Sequence, residues 1–398
     1  MQLSVRDRLR AARGGWSANL LILATTTFFV GLGQGAINGA NTNFLVDVLQ
    51  LTGRQVLWMQ GIREIPGLML VFIAALIMRW PLPRRAGIAV MVMGLGYALY
   101  ASVQSYTGVL AAAVAASLGF HVWMPLQSTL GLTLSEKANS GRTLGFLASI
   151  AALASIGGMA LTAVTSTMLP LRALFILGGG AIAVGGLLLW RIPPSIGETQ
   201  KGQPRLLFRR KYWLYYVLIL FDGARTQVFG AFGTLILVQH YGLGARDISL
   251  LLVASSTVNF ILAPRLGRLL DIVGERTTLS VSYVALALCF VGYATVQNVW
   301  FLSGMLICIN LLITLGIGLS TYVNRIAPAG ELGPTLSAGV SVNHVTSVSM
   351  ALVAGTLLSL VGYQALCWGA AAIIMLSVPF ALAIRVKSPL PTTLAVEI

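Results

Sequence analysis

Four charged residues stand inside long apolar stretches of this 398-residue chain: Arg63 and Glu64 in WMQGIREIPGLMLVF, and Asp222 and Arg225 in YYVLILFDGARTQVFG. Bilayer hydrocarbon disfavours each such residue by roughly 2.5–3.5 kcal/mol on insertion scales. A charge persists there when it is paired, solvated or at work. Glu64 and Asp222 are candidate proton carriers, because burial disfavours the charged carboxylate while a neighbouring arginine favours it, which leaves the group switchable. Arg63 and Arg225 suit an anionic or zwitterionic ligand. The two carboxyls suit a cation equally well, so ligand charge stays open. Asp222 and Arg225 are three positions apart, share a helix face and can pair. That pair either neutralises itself or is opened by ligand or proton. Arg63 and Glu64 are adjacent and point about 100° apart on a helix, so at least one needs a partner on another helix. Pro66 close behind frees a carbonyl and can bend the helix.

The elements that must position these groups are read from composition. The chain is 57% hydrophobic and 9% charged, with a mean hydropathy of +0.86. Soluble proteins carry about 25% charged residues. Apolar runs longer than the roughly 18–20 residues needed to span a bilayer recur with little chain between them. Lipid offers no partner to open backbone groups, so these runs are helices; the alternating ten-residue segments of a barrel are absent. Twelve spans are predicted, at roughly 18–47, 55–79, 86–104, 107–134, 143–166, 171–190, 212–239, 247–270, 277–296, 300–326, 335–361 and 364–385. At about 1.5 Å per residue, Arg63 lies about 12 Å, Asp222 about 16 Å and His344 about 14 Å inside their spans. All three fall near the middle of a core about 30 Å thick.

The net charge of +15 raises nucleic acid as a partner, but its placement argues for topology instead. Of the 26 basic residues, 21 fall on one side of the predicted spans, including Arg6 to Arg13 before span 1 and Arg191 to Lys211 in the central loop. The positive-inside rule places both termini and that loop in the cytoplasm. No nucleic acid partner is expected. Cys289, Cys308 and Cys367 lie in spans without metal-like spacing and read as packing residues. No P-loop, metal cluster or enzyme constellation is visible, so ATP-driven pumping, bound metal, other cofactors and catalysis are not expected. The first apolar stretch is too long for a signal peptide and reads as a retained helix.

The one long polar interruption, RIPPSIGETQKGQPRLLFRRK at about 191–211, divides the spans six and six. The halves align at a constant offset of 192: Arg54 meets Arg246, Arg84 meets Arg276, Ser128-Thr129 meets Ser320-Thr321, and Gly141, Thr143 and Leu144 meet Gly333, Thr335 and Leu336. Six spans per half make this a parallel repeat about an axis along the membrane normal. The expected domains are a segment 1–17, a six-helix bundle 18–190, a linker 191–211, a second bundle 212–386 and a tail 387–398.

Two six-helix halves, a basic linker and short loops together resemble the major facilitator superfamily of secondary transporters. The loop Gly267-Arg268-Leu269-Leu270-Asp271-Ile272-Val273-Gly274-Glu275-Arg276 is similar to that superfamily's signature loop. Its counterpart, Ala75 to Arg85, keeps only the basic end. Gly141-Arg142 at the start of span 5 resembles another superfamily position. The resemblance implies an all-α membrane protein with the major facilitator fold, working by alternating access and driven by an ion gradient, with H+ the expected ion. It implies a midplane site between the repeats, with helices 1, 4, 7 and 10 lining a cavity and helix 2 facing helix 11. It also implies a cytoplasmic gate at Arg142, Arg268, Asp271 and Arg276, with Glu275 beside them.

On span 1, Gln34, Asn38 and Asn41 recur at i, i+4 and i+7 as one polar stripe, offering amides either to a substrate or to neighbouring helices. His121 in GFHVWMPLQST is either a packed histidine or a titrating one. Asn343 and His344 on span 11 become candidate partners for Arg63 and Glu64. The candidate substrate-binding set is therefore Gln34, Asn38, Asn41, Arg63, His121, Arg225, Asn343 and His344, with Glu64 and Asp222 for proton coupling. The expected protein is a monomeric, multi-pass transporter of a small molecule in the bilayer of a bacterial inner membrane. Span 5 lacks the proline motif of proton–drug antiporters. A lipid, amphipath or drug exporter and a non-transporting receptor or partner subunit remain alternatives.

Overall fold

The computed structural model describes residues 17–77, 79–135, 140–197 and 208–385. The expected segment 1–17 (apart from Ser17), most of the linker and the tail lie outside the described residues, as does Lys137. The described chain is helical, and twelve spans are found. We label them α1 (Ala18–Asn43), α2 (Gly53–Ile62, Ile65–Leu68 and Leu70–Ile77), α3 (Leu82–Leu99), α4 (Tyr106–Thr133), α5 (Ser140–Thr165) and α6 (Leu171–Leu188). The second half holds α7 (Trp213–Tyr241), α8 (Ala245–Val273), α9 (Glu275–Thr295) and α10 (Val299–Thr314 and Ile317–Ile326). The helical stretch Ala329–Leu382 is 54 residues long, about 80 Å at 1.5 Å per residue, too long for one crossing. It divides at Gly362, whose φ of 78° and ψ of 173° interrupt the helix, into α11 (329–361) and α12 (363–382). Eight of the helical segments are by themselves long and apolar enough to cross a membrane, the 52-residue Glu331–Leu382 among them.

Short polar caps start the helices where the apolar runs begin. Ser17 accepts from Leu20 N at 3.2 Å, Ser105 from Gly108 N at 3.2 Å, and Asn298 from Trp300 N and Phe301 N at 3.0 Å each. Thr52 and Gln55 form a reciprocal capping box at the start of α2. Two spans read as continuous from sequence are interrupted. In α2 the breaks fall at Arg63–Glu64 and at Met69, because Pro66 cannot donate to the Ile62 carbonyl. In α10 the break falls at Leu315–Gly316, where Gly318 N and Leu319 N turn back to Leu315 and Gly316.

The chain divides into two compact units, Met1–Gln203 with Ala231–Thr257, and Pro204–Gly230 with Val258–Ile398. In the first unit α1 packs on α5 and α6, and α3 on α4 and α6. Glycine makes these crossings close. A Cβ on Gly94 would come within 2.5 Å of the Gly179 carbonyl, and one on Gly179 within 2.5 Å of the Gly94 carbonyl. Small residues at a crossing give membrane helices the contact that hydrocarbon does not otherwise drive. Buried hydroxyls close the gaps: Thr26 donates to Gly185 O at 3.0 Å and Thr162 to Ala36 O at 2.8 Å. The first unit also takes in the end of α7 and the start of α8. There Thr42 and Thr234 share a hydrogen bond at 3.1 Å, both buried. These two residues are 192 apart, so they are equivalent positions of the sequence repeat.

In the second unit α9 packs on the α11–α12 stretch. Glu331 at the start of α11 gathers the end of the linker: its carboxylate accepts from Tyr212 Oη at 2.8 Å and pairs with Lys211 at 2.7 Å and Arg209 at 3.0 Å. The bond to Glu331 holds the Lys211 ammonium above its ordinary value. A raised ammonium pKa contributes below the ordinary lysine value and is lost as pH rises past the folded one, so this clasp stays closed across neutral pH.

Gly94→Ala should lower the melting temperature of the purified protein, in line with the roughly 1–3 kcal/mol typical of overpacking. Gly180→Ala, where a Cβ meets nothing within 4 Å, should leave it unchanged. Equal melting of the two variants would contradict the close α3–α6 crossing.

Candidate functional site

The first unit places Glu64 and Arg63 at the break of α2. On an ideal helix the two side chains diverge, which is why the sequence argued against their pairing. At the break Arg63 Nε stands 3.7 Å from Glu64 Oε1, beyond hydrogen-bond reach. Gly67 N turns to the Glu64 carbonyl at 3.0 Å, which releases the carbonyl of Arg63. Ser117 of α4 takes it up through its hydroxyl. One turn further along α4, His121 Nδ1 lies 2.8 Å from the Ser117 carbonyl. A carbonyl only accepts, so Nδ1 carries a hydrogen and Nε2 is left to face Glu64 Oε2 at 3.3 Å. Glu64 and His121 are both buried. An unprotonated Nε2 and an ionised carboxylate would set lone pair against lone pair, so the geometry suits a proton between the two groups.

Gln34, Asn38 and Asn41, expected as one stripe, have different surroundings. Gln34 donates to Met93 Sδ of α3 at 3.6 Å, Asn38 is exposed and Asn41 half-buried. Gln127, one face along from His121, donates to Thr27 Oγ1 of α1 at 3.0 Å.

The second unit builds its site around Asp222 and Arg225 of α7. Arg225 NH2 meets Asp222 Oδ1 at 2.5 Å, and the guanidinium lies over the Tyr283 ring of α9, 4.2 Å from its centroid. Asn343 of α11 donates to Asp222 Oδ2 at 3.2 Å. The sequence offered Asn343 to Arg63 and Glu64, but its amide serves Asp222. The reason is a close α7–α11 crossing: a Cβ on Gly223 would sit 2.5 Å from the Asn343 carbonyl. Ser347, one turn on, locks the crossing by donating to Gly223 O at 3.1 Å. The break in α10 brings Gly316 beside the pair, where a Cβ would be 3.2 Å from Asp222 Oδ1. Arg225 is nearly enclosed, its side chain 4% exposed against 19% for Asp222. His344, next to Asn343, is half-buried on α11. Sequence reasoning missed Ser117, Tyr283, Gly316 and Ser347. The available signal was spacing, since Ser117 and Ser347 each stand four residues from a candidate they support.

At the α8–α9 loop the structure redistributes the expected gate. Arg142, Arg268 and Arg276 are exposed, and Asp271 is 74% exposed, 4.0 Å from Arg325. The buried acid is Glu275, 2% exposed and paired with Arg325 Nε at 2.7 Å. Gly274, with φ of 85°, turns the chain so that Glu275 starts α9. There the helix dipole favours an anion.

A twelve-span frame whose charges are gathered at helix breaks and crossings is that of a transport protein, and comparison with known proteins agrees. The Major Facilitator Superfamily profile matches residues 23–333 and 215–396. The chain belongs to that family: it is a multi-pass membrane transporter and not an enzyme. Curated protein sequences give no match. Among solved structures, a point mutant of the nucleoside transporter NupG is similar over 92% of this chain and 99% of its own, with a TM-score of 0.79 at 14% identity. A bacterial homologue of the human lysosomal transporter Spinster, in an inward-facing and unoccupied conformation, is similar over 92% and 95%, with a TM-score of 0.73 at 12% identity. A POT family transporter in complex with a thioalcohol-conjugated peptide covers 91% and 95%, with a TM-score of 0.73 at 10% identity. At these identities the likeness is one of fold.

Asp222→Leu should destabilise the protein by about 3–5 kcal/mol, because it strands a buried guanidinium. The double variant Asp222→Leu with Arg225→Leu should recover most of that loss in thermal unfolding. A double variant as unstable as the sum of the singles would contradict a self-balanced pair.

Proposed function

We propose that this protein is a proton-coupled secondary transporter of a small anionic or zwitterionic molecule, cycling by alternating access of its two halves. The single observation behind the coupling is the approach of the buried Glu64 carboxyl to His121 Nε2 at 3.3 Å. The pair stands at a break in α2, where Ser117 donates to the Arg63 carbonyl. A proton entering or leaving changes the local charge by one unit where water is scarce, which is how a gradient can bias two conformations. Asp222 has donors on both oxygens. We read it as the group that Arg225 releases when substrate or a second proton arrives. The polar residues left exposed or half-exposed, Asn38, Asn41 and Arg63, are read as substrate contacts, and His344 with them. Arg142, Arg268, Asp271 and Arg276, with the Glu275–Arg325 pair, are read as the cytoplasmic gate. We read the protein as a monomer in a bacterial inner membrane, and its one-sided basic residues support cytoplasmic termini.

Nucleosides, named for NupG, and peptides, named for the POT structure, belong in the first substrate screen beside small carboxylates. In proteoliposomes with an imposed proton gradient, Glu64→Gln should abolish gradient-driven accumulation of the substrate so found, by at least about tenfold. It should retain exchange of labelled for unlabelled substrate across the membrane at equal pH. Asp222→Asn should impair both. Undiminished accumulation by Glu64→Gln would exclude the proton role.

A further inference from the structure

The basic residues at the start of α7 have surroundings that topology alone does not call for. Arg209, Arg210 and Lys211 stand between two largely exposed aromatic side chains, Phe208 at 60% and Trp213 at 53%. Trp213, the half-buried Tyr216 and the exposed Leu220 recur at i, i+3 and i+7, so they share one face of α7. The Phe208 ring lies back against Tyr216, with 5.5 Å between centroids, so the chain entering α7 folds over that face. An exposed apolar face of a spanning helix meets lipid, and aromatic side chains at its end mark the head-group level. Glu331 fixes the segment there by pairing with Arg209 and Lys211, whose side chains stay about half exposed. Arg210 is exposed and pairs with no acid among the described residues. α12 brings a further cation to the same corner. It runs antiparallel to α7, and the Phe221 and Phe380 rings meet at 5.7 Å. The same step towards the cytoplasm leads from Phe221 to Tyr216 and from Phe380 past the end of α12 to the exposed Arg385. Three basic residues and Arg385 against one acid give the corner a net charge of +3.

We propose that this corner, between the start of α7 and the end of α12, binds an anionic phospholipid of the cytoplasmic leaflet. Its phosphate accepts from Arg210 and Arg385, and the upper part of its chains lies on Phe208 and Trp213. Guanidinium groups match phosphate oxygens in charge and hydrogen-bond geometry. A soluble anion would use the charge and leave the rings idle, and a neutral lipid would use the rings and leave the charge idle. An anionic lipid uses both. The Glu331 clasp holds the segment before any lipid arrives, so little ordering is left for binding to impose. The inference rests on the cytoplasmic placement of the basic residues and is independent of substrate and proton coupling.

The test is native mass spectrometry of the full-length protein, titrated with dioleoyl phosphatidylglycerol, dioleoyl phosphatidylcholine and glycerol phosphate. The first phosphatidylglycerol should bind at least about tenfold more tightly than the first phosphatidylcholine, since each basic residue near an anionic head group contributes about fivefold. Arg210 and Arg385 are exposed, so folding should survive their replacement. Arg210→Gln with Arg385→Gln should remove most of that preference, and Arg210→Lys with Arg385→Lys should keep it. Arg191→Gln with Arg265→Gln takes the same charge from exposed positions elsewhere, and should alter the preference by less than about twofold because distant charges are screened. Phe208→Ala with Trp213→Ala should weaken phosphatidylglycerol at least about tenfold. Equal affinity for the two lipids, equal losses from the two glutamine pairs, or glycerol phosphate bound as tightly as phosphatidylglycerol would each overturn the site.

Discussion

Hydrocarbon offers no hydrogen-bond partner to a backbone group and no solvation to a charge. Each polar feature of the interior answers to that constraint. Where α2 breaks, the Arg63 carbonyl loses its helical donor, and the Ser117 hydroxyl replaces it. Where α7 carries a guanidinium, Asp222, Asn343 and the Tyr283 ring surround it. In the first unit the charge sits at a helix break and in the second it faces one, and in both a neighbouring helix supplies polar groups to it. The two sites differ in one respect. Asp222 has a donor on each oxygen, whereas Glu64 faces a histidine nitrogen, a geometry that suits a proton between them.

The repeat explains why these sites are asymmetric. At the offset of 192, Arg63 and Glu64 correspond to Ser255 and Ser256, and Asp222 and Arg225 to Val30 and Gly33. Positions that belong to the frame behave alike in both halves: Thr143 and Thr335 are buried, and Thr42 bonds Thr234, its own mate. The charges occur once each. They are additions to a duplicated scaffold, and each brought its own local support.

Much of the frame was legible in the sequence, because twelve apolar runs and a constant offset are signals of length and period. The division at Gly362 falls between the predicted spans 335–361 and 364–385. The break in α2 was foreshadowed by Pro66, but nothing local marked that in α10, where Gly316 stands beside Asp222, far away in the chain. The site was legible in its members more than in its pairings. Glu64 and His121 lie 57 residues apart on different helices, and nothing local joins them. At the α8–α9 loop, motif resemblance favoured Asp271, while burial favours Glu275, four residues later. Side-chain depth at a helix start turns on the backbone at Gly274, and that is set in three dimensions.

The direct measurement of the central claim is difference infrared spectroscopy of the purified protein in lipid, titrated in H2O and D2O. Glu64→Gln and His121→Asn would assign the bands. A shared proton predicts that the Glu64 carboxyl and the His121 imidazolium trade intensity reciprocally, with both signals lost in either variant. An ionised Glu64 beside a neutral His121 throughout the acid-to-neutral range, with no proton taken up by the pair, would contradict it.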